Sequence, residues 1–193
     1  MKNIVFDLGG VLFARDKSKC TPELLEFFSF LRAPRMPLFW EEYDRGTSTL
    51  EEVTATISGM TGRPVETCAA VLRLAVDLQE PVKPTERLVG DLKAAGYRLY
   101  VLSNMSREFI DFLRRFPVYG LFDGEVVSCE EHTVKPEPRI YEILLERYGL
   151  KPSETLFIDD GRKNVDAAQA LGFAVYMPAP GEDFGHLFEE ITR

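Results

Sequence analysis

The sequence predicts an α/β protein, with a doubly wound parallel-sheet core and a small all-helical unit inserted after the first strand. Three observations indicate this class. Short apolar segments with the length of buried strands recur along the chain. Segments with helical periodicity separate them, and glycine follows several of these, as expected at helix ends. The stretch 16–80 has helical periodicity but no convincing strand, which predicts a separate helical unit.

The first predicted strand is the apolar run Asn3 to Phe6, which stops at Asp7 and the pair Gly9-Gly10. A short apolar run that ends in a flexible turn is typical of a buried strand leading into a loop. We therefore expect Asp7 at the carboxyl end of a strand inside the sheet.

Three helices are predicted in the inserted unit. The first begins at Thr21-Pro22, an N-cap and first-turn pair, and the second at the capping-box pattern Ser48-Thr49-Leu50-Glu51. The third lies between Val65 and Val76. Four side chains in or next to the unit either face the site or pack inside the unit: Arg15, Trp40, Tyr43 and Arg45. For the aromatic residues, which lie at helical spacing, packing is the favoured interpretation.

After residue 80 the predicted helices and strands alternate. Helices are predicted near residues 85–95, 106–116, 136–148 and 165–171, and strands at 98–102, 125–127, 155–158 and 173–177. Such alternation predicts a Rossmann-like parallel sheet. We therefore expect residues 1–15 and 81–193 to form the core domain and residues 16–80 to form a helical cap.

Composition argues against several functional classes. The 193 residues include 31 acidic and 23 basic ones, giving a net charge of −8 with no basic cluster, so no nucleic-acid partner is expected. No apolar run has the length of a membrane span and no secretory signal is recognisable, so we expect a cytoplasmic protein without a membrane partner. The three widely spaced cysteines are expected to be reduced thiols.

Polar residues follow three predicted strands at the point where each strand ends: Asp7, the pair Ser103-Asn104, and the pair Asp159-Asp160. The carboxyl ends of parallel strands share one edge of the sheet, where ligands bind in open α/β sheets. Three carboxylates at one edge repel one another unless a cation lies between them, and oxygen ligands favour a hard ion such as Mg²⁺. Lys135 adds a fixed positive charge near this edge.

Each of these residues has an ordinary structural explanation when taken alone. An aspartate after a strand is often a turn residue or a helix N-cap, and a single lysine is usually solvated. Their coincidence at successive strand ends predicts a phosphoryl-transfer site instead, in which metal, hydroxyl and ammonium groups neutralise the transferring group. Aspartate is an established covalent nucleophile in this chemistry.

Four segments resemble the motifs of the haloacid dehalogenase (HAD) superfamily, in the same order and over nearly the whole chain. They are Phe6-Asp7-Leu8-Gly9-Gly10-Val11-Leu12, Val101-Leu102-Ser103-Asn104, Lys135-Pro136 and Phe157-Ile158-Asp159-Asp160. The helical unit resembles the cap of subfamily IA. The first segment is similar to the Asp-Leu-Gly-Gly or Asp-Leu-Gly-Asn turn of bacterial sugar-1-phosphate phosphatases.

The resemblance implies a role for each residue. Asp7 would be the nucleophile and a metal ligand. Ser103 and Asn104 would bind phosphoryl oxygens, and Lys135 would hold the nucleophile and the phosphoryl charge in place. Asp160 would be the more direct metal ligand, with Asp159 close behind it. The cap would cover the site and select the substrate.

Gly9 departs from the pattern that this resemblance implies. HAD phosphatases usually carry a second aspartate there as general acid and base, whereas Gly9 offers a backbone carbonyl that can bind the metal but cannot transfer a proton. General acid–base catalysis typically contributes about 10²–10⁴ in rate. Asp16 is a candidate substitute, although a solvated loop aspartate is the simpler interpretation of it.

Together these features predict a Mg²⁺-dependent phosphohydrolase that acts on a small phosphorylated metabolite, with a sugar phosphate as one candidate, through an aspartyl-phosphate on Asp7. Two alternatives stay open. A 2-haloacid dehalogenase also lacks the second aspartate and needs no metal, but usually has neutral residues at the positions of Asp159-Asp160. A catalytically weak protein that binds a phosphorylated ligand would account for Gly9. The sequence leaves the substrate and the oligomeric state open.

Overall fold

A sheet of five parallel strands forms the centre of the protein in the computed structural model, which describes residues 1–33 and 35–188. The strands are β1 (Asn3–Phe6), β4 (Arg98–Ser103), β5 (Gly124–Val127), β6 (Thr155–Ile158) and β7 (Ala174–Tyr176). Their order is β5-β4-β1-β6-β7, so β1 lies in the middle. The predicted core strands and their parallel arrangement are confirmed. Pro34 in the predicted cap and residues 189–193 in the predicted core lie outside the described residues.

Different helices cover the two faces of the sheet. Side chains alternate between the faces along β1. Ile4 and Phe6 belong to the hydrophobic cluster that includes residues of α5 (Lys83–Ala94) and α6 (Arg107–Leu113). Val5 belongs to the cluster that includes residues of α8 (Pro138–Tyr148) and α9 (Arg162–Ala170). All three β1 side chains are fully buried, and burial of each contributes about 1.5–3 kcal/mol. The doubly wound architecture is confirmed.

The described part of the inserted unit contains four α-helices: α1 (Pro22–Phe27), α2 (Leu38–Asp44), α3 (Leu50–Thr61) and α4 (Val65–Asp77). They share a hydrophobic cluster of their own, which includes Leu24, Trp40, Ile57 and Leu72. Helix α2 was not predicted. Its N-cap position is Pro37, which makes no side-chain capping bond, so the sequence carries no start signal there.

The capping box of α3 lies one residue later than predicted. The Thr49 hydroxyl accepts the Glu52 N–H at 3.2 Å, and the Glu52 carboxylate accepts the Thr49 N–H at 2.8 Å. Thr49, with an extended backbone, is therefore the N-cap in place of Ser48. The pattern identified the helix, but two neighbouring hydroxyl residues left its first residue ambiguous.

A two-stranded antiparallel ribbon joins the inserted unit to the core and was not predicted. It consists of β2 (Phe13–Arg15) and β3 (Gln79–Pro81). The strand β3 begins within the stretch that was expected to contain none. Strands of three residues, paired across the whole inserted unit, leave no local periodicity that a sequence pattern can reveal.

Some helix boundaries in the second half of the chain also differ from prediction. Helix α8 begins at Pro138 because Glu137 is its extended N-cap, and α9 begins earlier than predicted, at Arg162. A short helix, α7 (Ser128–Glu131), follows β5 unpredicted. Across the described ranges, no helix combines the length and apolarity needed to cross a bilayer. The three cysteines are free thiols, as predicted.

Candidate functional site

Parallel pairing brings the predicted site residues to one edge of the sheet. Phe6, the last residue of β1, is level with Val101 of β4 and Ile158 of β6. Asp7 follows and donates its N–H to the Ile158 carbonyl at 2.9 Å. Because β1 lies between β4 and β6, the residues that follow the three strands meet beside Asp7.

The carboxylate of Asp7 is held by two donors. Its Oδ1 accepts a hydrogen bond from the Ser103 hydroxyl at 2.8 Å and lies 2.9 Å from the ammonium nitrogen of Lys135. Both donors use the same oxygen, and no group in the described part of the chain bonds to Oδ2. Asp7 is 8% exposed, so its carboxylate is fixed in position but still reachable from solvent.

Lys135 is fixed through its side chain and its backbone. Its Nζ donates to the Leu102 carbonyl at 2.9 Å and to Asp159 Oδ2 at 2.5 Å, in addition to its contact with Asp7. The amide of Asn104 accepts the Lys135 N–H at 2.7 Å and donates to the Lys135 carbonyl at 2.8 Å. The peptide bond that follows, Lys135-Pro136, is cis. The Asn104 amide therefore positions the lysine, a contact that its sequence motif did not predict.

The two adjacent aspartates after β6 have different surroundings. Asp159 is fully buried, and its carboxylate also accepts from the Gly161 N–H at 2.7 Å and the Asn164 amide at 3.0 Å. Asp160 is exposed, and no side chain in the described part of the protein donates to its carboxylate. Oxygen atoms of Asp7, Asp159 and Asp160 lie within 4.8 Å of one another, which is a spacing suited to a shared cation.

The glycine pair after Asp7 contributes in two different ways. Gly10 has a φ of +77°, and a Cβ there would lie 2.2 Å from Asp160 Oδ2. Any other residue at position 10 would therefore displace the Asp160 carboxylate. At Gly9, in contrast, a Cβ would meet no atom within 4 Å. Packing therefore does not require glycine at position 9.

Burial dominates the electrostatics of the site. It raises the pKa of Asp7 to about 6, and the charges of Asp159 and Asp160 add to this rise while Lys135 offsets it only in part. Burial alone would lower the pKa of Lys135, but Asp159 and Asp7 outweigh it and raise the pKa, so the ammonium stays charged. Burial and Asp159 also raise the pKa of Asp160. Three carboxylates face one ammonium, which leaves two negative charges for a cation to balance.

A cavity of about 610 Å³ lies between the cap and this edge of the sheet. Asn104, Lys135 and Asn164 line it on the core side, and Arg35, Glu41 and Asp44 line it on the cap side. A larger hollow of about 720 Å³ elsewhere on the surface is lined by none of the predicted site residues. Of these two cavities, the one of about 610 Å³ adjoins the candidate site, because Asn104 and Lys135 belong to its lining.

Asp44, the last residue of α2, was not predicted as a site residue. No motif marks it, and the helix that carries it was not predicted. One signal was present two residues later, in Gly46. Its φ is +74°, and a Cβ there would lie 2.3 Å from the Cys129 carbonyl oxygen. A glycine that allows such a close approach marks the point where the chain of the cap touches the core.

The other cap residues singled out in the sequence do not line the cavity. Trp40 and Tyr43 are buried in the cap cluster, as favoured for an aromatic pair at helical spacing. Arg15 lies 4.8 Å above the ring of Phe28. Arg45 binds the carboxylate of Glu137 with two hydrogen bonds of 2.9 and 2.7 Å, which joins the end of α2 to the start of α8.

Asp16 is occupied by its own neighbours in the chain. Its carboxylate accepts from the Ser18 hydroxyl at 2.7 Å and lies 3.0 Å from the Lys19 ammonium. These contacts, the Ser18 hydroxyl first, lower the pKa of Asp16 to about 2. A carboxylate with so low a pKa is a poor general base at neutral pH.

A family model described as haloacid dehalogenase-like hydrolase matches residues 1–172. The chain belongs to this family. The HAD-like hydrolase is 30% identical over 172 residues to a sesquiterpene phosphatase of Aspergillus oryzae, covering 89% of this chain and 86% of that protein. It is 28% identical over 203 residues to a D-ribitol-5-phosphate phosphatase of Bacteroides thetaiotaomicron, covering 95% of each. The family and the enzyme class predicted from the four motifs are confirmed.

Solved structures of HAD enzymes share this fold. A HAD family enzyme of Bacteroides thetaiotaomicron, in complex with magnesium and inorganic phosphate, matches with a TM-score of 0.77 and 30% identity over 97% of this chain and 99% of that one. A HAD-like family hydrolase of Porphyromonas gingivalis matches with a TM-score of 0.79 and 29% identity, over 100% and 98% of the two chains. A dehalogenase with a TM-score of 0.76 is 17% identical and shares the fold alone.

Proposed function

We propose that this HAD-like hydrolase is a Mg²⁺-dependent phosphomonoesterase that acts on a small phosphorylated metabolite through Asp7. The observation that carries the proposal is the state of the Asp7 carboxylate. Ser103 and Lys135 hold Oδ1, while Oδ2 has no bond to the described residues. A nucleophile whose orientation is fixed and whose second oxygen is open needs little reorganisation to reach phosphorus.

The donor set fits Mg²⁺. Carboxylate oxygens of Asp7, Asp159 and Asp160, with the backbone carbonyl of Gly9, are the hard oxygen ligands that this ion prefers. Asp160 is the more direct ligand in this proposal, because Asp159 already accepts bonds from Lys135 and two amide groups. A bound Mg²⁺ supplies charge neutralisation for the phosphoryl oxygens. The related enzyme in complex with magnesium and phosphate supports this assignment.

The protein side chains divide the remaining work. Asp7 Oδ2 attacks phosphorus, the ester oxygen leaves with the alcohol, and water later releases inorganic phosphate from Asp7. Lys135 holds Asp7 in place and offers positive charge to the phosphoryl group from a buried position. Ser103 and Asn104 follow β4 at the same edge and bind phosphoryl oxygens, with the Asn104 amide also fixing the lysine loop.

The cap narrows the class of substrate. In this proposal residues 16–80 cover the site, and residues 1–15 and 81–193 form the core. The lining of the cavity is mostly charged or amide-bearing, with Met36, Val134 and Pro136 as its larger apolar members. Its charged and amide side chains can form hydrogen bonds to the hydroxyl groups of a substrate. A sugar or polyol phosphate is the substrate class proposed here; one relative is a D-ribitol-5-phosphate phosphatase, and another is a sesquiterpene phosphatase.

A substrate panel tests the proposal. Purified protein is assayed for phosphate release from sugar phosphates, polyol phosphates and a prenyl phosphate, each with Mg²⁺ and with excess chelator. We expect Mg²⁺-dependent release that favours the polyol and sugar esters and disappears in Asp7→Asn. Chelator-resistant halide release from a 2-haloacid, without phosphate release, would identify a dehalogenase instead. Phosphate-ester binding with no turnover would identify a binding protein.

A further inference from the structure

The two steps of the proposed reaction need a proton donor and then a proton acceptor. The departing ester oxygen must gain a proton, and the water that attacks the aspartyl-phosphate must lose one. Gly9 has no side chain to do this, and Asp16 is held by Ser18 and Lys19. Another group that can donate and accept a proton is needed if esters with basic leaving groups are to be cleaved efficiently.

We propose that Asp44, at the end of cap helix α2, is the general acid and base of this enzyme. The inference rests on the phosphatase function proposed above and assigns to the cap a group that takes part in the chemistry. Asp44 lines the same cavity as Asn104 and Lys135, which places it on the cap side of the space next to the proposed phosphoryl site.

Contacts with the core hold Asp44 at this place. Its backbone carbonyl accepts a hydrogen bond from the Ser128 hydroxyl, and Ser128 follows β5 at the same edge of the sheet. The next residue, Arg45, binds Glu137 across the boundary between cap and core. The end of α2 is thus joined to the core at Asp44 itself and at the residue that follows it.

The contacts of the Asp44 carboxylate suit proton transfer. The Ser106 N–H and the Trp40 indole N–H lie near it as neutral donors, and across the described residues no lysine, arginine or histidine forms an ion pair with it. Glu41, on the same helix and at the same cavity, is instead paired with Arg45 at 2.8 Å. A carboxylate oriented by neutral donors is fixed in direction but keeps its affinity for a proton.

The electrostatic surroundings of Asp44 support the same role. Burial, and then the negative charge of Asp7, raise its pKa to about 7, with Glu41 adding to the rise and the two neutral donors opposing it. A group that exchanges a proton near neutral pH can both donate and accept during one catalytic cycle.

The proposed cycle is balanced. In the first step Asp7 forms a bond to phosphorus, the P–O bond to the leaving group breaks, and the Asp44 carboxyl gives its proton to the departing oxygen. In the second step water forms a bond to phosphorus, the bond to Asp7 breaks, and the Asp44 carboxylate takes the proton of the water. Asp7 and Asp44 return to their starting states.

Leaving-group dependence tests this assignment. The substrates are substituted phenyl phosphates of similar shape, from p-nitrophenyl to p-methoxyphenyl, measured with wild type, Asp44→Asn and Asp44→Ser in Mg²⁺. Glu42→Gln is the charge-matched control, because it lies on the same helix but does not line the cavity. Rapid mixing with p-nitrophenyl phosphate follows the first turnover, and the size of its burst counts the correctly folded sites.

For the Asp44 variants we expect a loss of about 10²–10⁴ with p-methoxyphenyl phosphate and a steeper dependence of the first step on leaving-group acidity. With p-nitrophenyl phosphate we expect a burst of one nitrophenolate per site and then slow turnover, since hydrolysis of the intermediate has lost its base. Unchanged turnover would overturn the proposal, as would an equal loss for all leaving groups with no burst. Absence of phosphate release by wild type from any ester would refute the phosphatase function itself.

Discussion

Replacing the proposed nucleophile should stabilise the metal-free protein. Asp7→Asn removes a negative charge that is almost fully buried beside two other carboxylates. The new amide oxygen can still accept from Ser103, and Lys135 keeps its 2.5 Å contact with Asp159. The substitution therefore removes an unfavourable charge and leaves the surrounding hydrogen bonds in place, a conflict between stability and activity that is common at catalytic sites.

The size of the effect follows from the pKa of Asp7. Burial raises this pKa from 3.8 to about 6, and a tenfold change in an equilibrium corresponds to about 1.36 kcal/mol. The ionised carboxylate therefore costs the folded state about 3 kcal/mol relative to its neutral form, which asparagine resembles. For a chain of this length that difference corresponds to a rise in melting temperature of roughly 6–12 °C.

The pH dependence has a definite sign. Between pH 4 and pH 6 the folded protein binds the Asp7 proton and the unfolded chain releases it, so wild-type stability falls as the pH rises through this window. Above pH 6 this contribution is constant. The gap between Asp7→Asn and wild type should therefore be full at pH 8 and vanish near pH 4.

Thermal and urea unfolding in EDTA, at intervals from pH 4 to pH 8, measure this gap. Asp91→Asn, an exposed substitution on α5, is the control and should change stability by less than about 0.5 kcal/mol. Saturating Mg²⁺ should stabilise wild type more than Asp7→Asn, which narrows the gap. A variant no more stable than wild type at pH 8, or a gap that does not shrink towards pH 4, would refute the reasoning.

Three further perturbations test the site and its cover. Lys135→Met leaves the buried carboxylates of Asp7 and Asp159 without their ammonium and should lower the free energy of unfolding in urea by about 3–5 kcal/mol. Lys151→Met, at an exposed lysine, should change it very little, and equal effects would contradict a buried ion pair at Lys135. Asp160→Asn should lower the Mg²⁺ affinity by about tenfold or more, as measured by calorimetry, because it removes a proposed ligand. Unchanged affinity would exclude Asp160 as a ligand. A double-mutant cycle on Arg45 and Glu137 should give a coupling free energy of about 1 kcal/mol or less that weakens in salt, because the Glu137 side chain is 42% exposed. A large, salt-independent coupling would contradict this expectation.

The sequence by itself determined the core and the chemical class of the site. Strands show as short apolar runs because both faces of a parallel sheet are buried, and Asp7 could be placed at the carboxyl end of β1 for that reason. The topological rule that such ends share one edge was enough to bring Asp7 together with Ser103 and the Asp159-Asp160 pair. These inferences depend on local patterns and on a general rule of parallel sheets, and neither requires knowledge of side-chain packing.

Only the tertiary structure decided how the site residues divide their contacts and what the cap adds to them. The Asn104 amide holds the backbone of Lys135, a contact that neither sequence motif reveals. Asp159 and Asp160 are the same residue type in one motif, yet Asp159 accepts several hydrogen bonds and Asp160 is exposed. Asp44 lines the cavity from α2, a helix with no capping signal. The β2–β3 ribbon and the close contact at Gly46 hold that helix against the core. Those placements arise from packing between segments far apart in the chain, which leaves no periodic trace in the sequence of either segment.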